Sequence, residues 1–300
     1  MDSAKKDVII YGGDHSSWVQ AVLLGLHLKG VEYKVTTFPP RKLFKHSGIL
    51  MPAQLGGDGT WMLQSADILE QHGYGRLERE DLIALLKTLW GGFNRIDSPF
   101  QFWRRWGWVR DENDNVLVRL ANFFRRPFVA LMFYIILRQI PKKLSALNDG
   151  SKQRMKKIPS TADMCVAYRD WQDKLLESPG PFLDGEKPGL RDIHLFGTVQ
   201  LYASIPVPML YVLMESPDLK QLRNWISAME DECKAYRHLY SRQYFSESGP
   251  APSRASAFES AVFWLGTATV LITAPLSISF AAYKLRQVRK RRLMNQPSRV

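Results

Sequence analysis

The chain has 300 residues, 41 lysines and arginines against 29 acids, a net charge of +12 and two cysteines. That length admits two domains of ordinary size, and Cys165 and Cys233 are too few for a disulfide scaffold or a metal cluster, so no metal is expected. Lys284, Arg286, Arg289, Lys290, Arg291, Arg292 and Arg299 stand together after residue 283 with no acid among them; without those seven the rest of the chain carries +5, an ordinary figure that argues against a nucleic-acid partner.

VIIY (8–11) is a short apolar run ending in Gly12-Gly13, which predicts a buried strand entering a tight turn. SWVQAVLLGLHLKG (17–30) has helical spacing, with Val19, Val22, Leu23, Leu26 and Leu28 forming an apolar face and Gly30 as a stop. VEYKVTTF (31–38) alternates as a second strand closed by Pro39-Pro40. RKLFKHSG reads as a basic loop, ILMPAQL leads into a strand, GGDGT gives a hairpin turn into WML, and QSADILEQHG predicts a helix capped by Ser65. From Glu78 to Ser246 the pattern is helical, and Phe128 to Leu137, flanked by arginines and too short to span, reads as a buried central helix. SESGPAPSRASA (246–257) reads as a linker.

Residues 261–283 (AVFWLGTATVLITAPLSISFAAY) hold no charge. As a helix they reach roughly 34 Å, against a hydrocarbon core of about 30 Å, with Trp264 and Tyr283 near the two headgroup levels. The N-terminal MDSAKKDVIIYGG offers no export signal. The expectation is a single-pass tail anchor with a cytosolic body and a polybasic tail (284–300) suited to anionic headgroups. Gly266, three threonines, Pro275 and two serines dilute the span, and with the basic tail they favour the mitochondrial outer membrane over the endoplasmic reticulum.

Three features of the first domain converge on chemistry. GGDHSSW opens a helix whose unpaired N–H groups and positive dipole end favour an anion, and Ser16 or Ser17 there could hold a thiolate or simply cap the helix. Met51-Pro52 stands where a strand begins, a place that tolerates a missing ladder donor and often holds a cis turn. Gln64-Ser65 opens a further helix and offers an amide, a hydroxyl and backbone donors to a carboxylate, or again a cap.

With these residues in this order, the chain resembles the glutathione transferase superfamily over about residues 7–245. The resemblance is carried by SSW followed by KGVEY, by MPAQL, by DGTWMLQSADIL, and in the second half by PFLDGEKPGLRDIHLFGTVQ. It implies a thioredoxin-like α/β domain (1–77) and an all-α domain (78–245), to which the residues themselves add a linker (246–260) and a transmembrane helix (261–283). It implies glutathione as co-substrate, with Ser16 at the sulfur and Ser17 as alternate, Met51 and cis-Pro52 at the cysteinyl part, and Gln64 with Ser65 at the γ-glutamyl end. Free thiols ionise near pH 8.5, so a donor that lowers this by one or two units makes a nucleophile at neutral pH.

The chain departs from the pattern in three places: Gly189-Leu190-Arg191-Asp192 keeps the acid of the usual capping box without its hydroxyl, His46-Ser47 stands where an Asn-Pro often precedes the cis-proline, and FQFWRRWGWVRDENDN (100–115) lengthens the middle of the helical domain. Membrane-tethered relatives, the metaxins and the ganglioside-induced differentiation-associated proteins, share a transferase-like body with a C-terminal anchor. Two functions therefore compete: a membrane-anchored transferase conjugating or isomerising lipophilic electrophiles, with homodimerisation as an option, and a non-catalytic adaptor of the mitochondrial outer membrane.

Overall fold

The structure is a computed structural model that describes residues 8–13, 15–37, 39–48, 50–56, 59–93, 103, 115–137, 161–204, 208–245 and 255–294. Strand β1 (Val8–Tyr11), helix α1 (Ser17–Leu28) and strand β2 (Tyr33–Thr36) form a β-α-β unit; α2 (Arg41–Ser47), the hairpin β3 (Ala53–Leu55) and β4 (Trp61–Leu63), and α3 (Ser65–Gln71) follow. The sheet order is β2-β1-β3-β4, with β1 parallel to β2 and both other pairs antiparallel. This is the thioredoxin-like arrangement, and the apolar VIIY run takes an inner position because Ile10 and Tyr11 have no solvent face.

Two local expectations are corrected. Residues 41–47, read as a loop from their basic character, form helix α2: Leu43 is fully buried and the Ser47 hydroxyl donates to its carbonyl at 3.1 Å. Lysine and arginine are good helix formers, so one buried leucine and the fixed chain entry from Pro39-Pro40 suffice. Ser65 is the first residue of α3 and not its cap; Gln64 holds the cap position with no side-chain capping bond.

The rest of the described chain is helical: α4 (Arg79–Phe93), α5 (Val116–Leu137), α6 (Thr161–Glu177), α7 (Leu190–Ser204), α8 (Pro208–Glu215), a 3₁₀ turn (Pro217–Leu219), α9 (Lys220–Glu232), α10 (Arg242–Phe245) and α11 (Ala257–Met294). Phe128 to Leu137 is the second half of α5, beyond Pro127. The centre of the helical unit is α7, buried from Asp192 to Ser204. The long segment 100–115 lies outside the described residues except Trp103 and Asn115.

Asp192 organises the entry to α7. Its Oδ1 accepts from the Leu183 N–H (2.8 Å) and Trp225 Nε1 (2.7 Å), and its Oδ2 from the Asp184 N–H (3.1 Å) and Gly189 N–H (3.0 Å). The carboxylate half of the capping box thus works without the hydroxyl half, because a buried loop and an indole supply the remaining donors. Further along α7, the Tyr202 hydroxyl donates to the Thr88 and Leu89 carbonyls (2.7 and 2.9 Å), tying α7 to α4.

The two units meet where α1 crosses α7 at Gly197. A Cβ there would fall 2.7 Å from the Ser17 carbonyl oxygen and 3.1 Å from the Ala21 nitrogen, both backbone atoms that cannot yield by a rotamer change. Gly197→Ala is therefore expected to lower the stability of the full chain by about 1–3 kcal/mol, read from urea denaturation, and to shift the start of α1. An unchanged midpoint would mean that the crossing is loose.

Helix α11 begins with a complete capping box: the Ser256 N–H donates to Glu259 Oε2 (2.8 Å) and the Glu259 N–H to Ser256 Oγ (3.2 Å). The helix is 38 residues long, and the segment 261–283 lies inside it. Among the described residues no single helix is long and apolar enough to cross a membrane; the apolar stretch recognised here is Ala257–Thr273. Its buried side, Glu259, Phe263, Gly266, Thr267 and Val270, faces the body, chiefly α5.

Candidate functional site

The sheet register gathers the sequence-predicted residues at one end of the sheet. Tyr11 lies opposite Ala53, and Ala53 opposite Leu63. One step further along each ladder, Gly12, Pro52 and Gln64 stand side by side just beyond the last paired residues. The Met51-Pro52 peptide bond is cis, as the sequence reading anticipated for a proline at a strand start. The Gly13 N–H donates to the Met51 sulfur at 3.3 Å, so Met51 lies against the Gly12-Gly13 turn.

Gly12 is glycine for a packing reason: an added Cβ would collide with the Val19 side chain, which fixes the turn against α1. The turn closes through the Ser16 N–H to the Gly13 carbonyl (3.0 Å), and Ser16 becomes the N-cap of α1 with extended φ and ψ. Its hydroxyl makes no capping bond, and no acid occupies the first turn of α1. An uncommitted hydroxyl beside the positive end of a 12-residue helix suits an anionic sulfur. Ser17 is buried, and its carbonyl sits against Gly197 of α7. Of the two serines, Ser16 is the more exposed.

Gln64 has φ 81° and ψ 131°, the one positive φ outside glycine among the described residues. Such a backbone costs on the order of 1–3 kcal/mol in a residue with a side chain, and it persists where the surroundings require it. Here the turn delivers Ser65, itself buried, next to Pro52 at the end of the sheet. Sequence reasoning singled out this pair for its functional groups and missed the strain, which has no signature in residue type.

Other neighbours of the site were not legible. The His15 ring stacks on Tyr240 (centroids 5.7 Å apart), so the segment after α9 folds back over the loop before α1. The Tyr236 hydroxyl donates to Gln20 Oε1 at 2.6 Å from the same segment. Arg125 of α5 lies near enough to act on Tyr11: burial pushes the Tyr11 hydroxyl up to about 12, and the Arg125 charge pulls against that. Trp18 meets His194 of α7 edge-on at 5.6 Å. Only the spacing of tyrosines in YRHLY (236–240) hinted at any of this.

Among the described residues no group of histidine, cysteine, aspartate and glutamate could hold a metal ion. Cys233 is buried and its thiol is pushed up to about 12, first by burial and then by Glu232 and Glu230, so it is no nucleophile at neutral pH.

No protein-family sequence model matches the chain, and no curated protein matches it either. Solved structures do. The theta-class glutathione S-transferase of Xanthomonas axonopodis pv. citri, described with glutathione bound, is 14% identical, covers 80% of this chain and 97% of its own, and has a TM-score of 0.36. A glutathione S-transferase from the Antarctic clam Laternula elliptica is 13% identical over 81% of this chain and 96% of its own, with a TM-score of 0.39. The epsilon-class enzyme of the housefly Musca domestica is 15% identical over 81% and 99%, with a TM-score of 0.40. The β-α-β unit, the hairpin after a cis-proline and the helical unit packed on α1 define this chain's class from its own geometry: a thioredoxin-like domain joined to an all-helical domain.

His194 gives this region a pH signature. Its burial lowers the imidazole from 6.5 to about 4, so the folded protein keeps it neutral. Between those two values the unfolded chain binds a proton that the folded one refuses, so stability is full above about pH 6.5 and falls as pH drops toward 4. The expected loss is on the order of 3 kcal/mol. His194→Gln should flatten that acid limb in denaturation curves; an identical limb in the variant would move the effect to other groups.

Proposed function

We propose that the chain is a glutathione-binding protein of the transferase type, held at a cytosol-facing membrane through its C-terminal helix and basic tail. The observation that carries this reading is the strained Gln64 beside cis-Pro52, in line with Gly12 at the sheet end. A backbone held at that cost presents the Pro52 turn and the Gln64-Ser65 pair to an extended peptide, and the Ser16 hydroxyl at the head of α1 makes no capping bond.

In the reaction, the Ser16 hydroxyl and the first N–H groups of α1 hold the sulfur of glutathione as thiolate. The thiolate forms a C–S bond to a lipophilic electrophile, and the electron pair leaves with the departing group or is taken up by carbon and later protonated from water. Membrane attachment suits acceptors that partition into lipid. The basic tail favours the mitochondrial outer membrane over the endoplasmic reticulum.

Ser16→Ala should raise the ionisation pH of bound glutathione and lower turnover at neutral pH by on the order of 10²-fold, with little change in affinity. Ultraviolet titration of bound thiolate measures the shift; superimposable curves would remove Ser16 from this role.

The second reading, a non-catalytic adaptor of the mitochondrial outer membrane, is favoured by one contact. The Met51 sulfur occupies the Gly13 N–H, a donor otherwise open to a ligand. Calorimetry separates the two. Glutathione should give binding heat with the wild-type chain and none with Gln64→Ala plus Ser65→Ala, whose fold is retained. A wild type with no heat makes the adaptor the better description.

A further inference from the structure

Helix α11 does not stand away from the body. Glu259, buried, pairs with the partly buried Arg119 of α5 at 2.7 Å. Gly266 sits where an added Cβ would fall 2.5 Å from the Phe124 carbonyl oxygen, so the backbones of α5 and α11 touch. Trp103 Nε1 donates to Thr267 Oγ1 at 3.0 Å. Further on, Phe280 stacks on Phe44 of α2 with ring centroids 5.8 Å apart, and the Lys284 ammonium lies over the same ring at 5.7 Å. The contacts run from residue 259 to residue 284, a length of roughly 38 Å along the helix.

The side turned away from the body is apolar. Leu265, Leu271, Ile272, Leu276 and Tyr283 are all exposed, with Ile272 and Leu276 at 80% and 77%. The threonines of the stretch are satisfied within the helix: the hydroxyls of Thr267, Thr269 and Thr273 donate to the carbonyls of Phe263, Leu265 and Thr269 at 3.1, 2.9 and 2.8 Å. The polarity is inverted relative to a helix on a water-facing surface, where apolar residues turn inward. Because Arg119 meets Glu259, the first turn of α5 lies beside the first turn of α11, and the exposed Val116, Leu117 and Phe258 extend the apolar surface at that end.

At the other end the rim is cationic. Arg286 is exposed beyond Tyr283, and the Phe280–Phe44 stack brings α2 alongside with its exposed Arg41, Lys42 and Lys45. An uncharged apolar strip bordered by cations from two separate elements is complementary to an anionic bilayer, with hydrocarbon under the strip and headgroups at the rim.

We propose that α11 lies flat on an anionic bilayer, its outward face sunk into one leaflet, with the body and the basic tail on the same side of the membrane. The proposal rests on the membrane reading above and replaces crossing with lateral docking. Crossing in this arrangement would carry the Arg119–Glu259 pair to one headgroup level and the cations of α2 to the other, with α5 and its Arg125 drawn through the hydrocarbon between them. Lateral docking leaves every one of those charges in water or buried in protein.

The test uses the full chain with a C-terminal epitope, made by cell-free translation beside sealed vesicles of phosphatidylcholine with or without phosphatidylserine. The wild type should float with the anionic vesicles, less with phosphatidylcholine alone and less at high salt, while protease added outside still removes the epitope. Ile272→Glu plus Leu276→Glu, on exposed positions that folding does not use, should cut the bound fraction at least about tenfold. Leu265→Glu plus Leu276→Glu repeats the measurement should the first pair unfold locally. Flotation with a protected epitope overturns lateral docking and leaves the membrane reading standing. Variants that float like the wild type overturn the assignment of this face. A wild type that never floats overturns the membrane reading itself, and if it then forms a dimer that the variants split, the face belongs to a second copy.

Discussion

Everything at the candidate site depends on how closely α1 approaches α7. The missing Cβ of Gly197 lets the backbone of Ser17 rest on α7, and no other residue type permits that contact without moving one helix. Because Ser17 is held by its carbonyl, the residue before it is placed as well: Ser16 starts α1 at a fixed height above the end of the sheet. His194 on α7 packs against Trp18 one residue further on, so the same crossing keeps an imidazole neutral and dry. α7 is itself set by Asp192 at its entry and by Tyr202 near its end, which makes the position of the serine a consequence of the helical unit as much as of the sheet.

The two functional readings differ in what they ask of the turn at the sheet end. A binding site needs donors free for a ligand and a backbone already in place. Gln64 meets the second condition, its strained backbone fixing the turn from β4 into α3. Met51 bears on the first, because its thioether rests on the Gly13 N–H. A thioether is a weak acceptor on a flexible side chain, so a carbonyl or thiolate displaces it at small expense. That asymmetry is why the strained turn weighs more than the occupied donor.

The sequence made the elements of the first unit readable where each had its own local cause. VIIY with two glycines, the 3.6-residue spacing of α1 and the turn chemistry of the hairpin each sufficed alone. α2 was misread because basic residues suggest exposure, whereas the helix is decided by a single leucine that packs beneath the sheet end. The φ of Gln64 is a tertiary demand with no trace in residue type. His15 on Tyr240 joins residues 225 positions apart, and nothing local announces it. The docked side of α11 was legible in principle: Glu259, Phe263, Gly266, Thr267 and Val270 recur at helical spacing and include the only acid and the glycine of that stretch. The absence of charge from 261–283 drew attention to length, and length hid the face.

Helix α5 connects the two halves of the account. One side of it holds α11, through Arg119, Phe124 and Pro127, while Arg125 acts on Tyr11 at the last rung of the sheet before Gly12. Packed interiors transmit displacement because they have little free volume. Any tilt of α11 against its support is therefore felt by the helix whose arginine faces the end of β1, a few residues from Ser16. Under the proposed reading, the helix that would dock on lipid and the turn that would hold a thiol lie on either side of the same element. On that reading the basic tail and the cations of α2 would set how the body is turned on the surface, and with it whether the sheet end faces lipid or water.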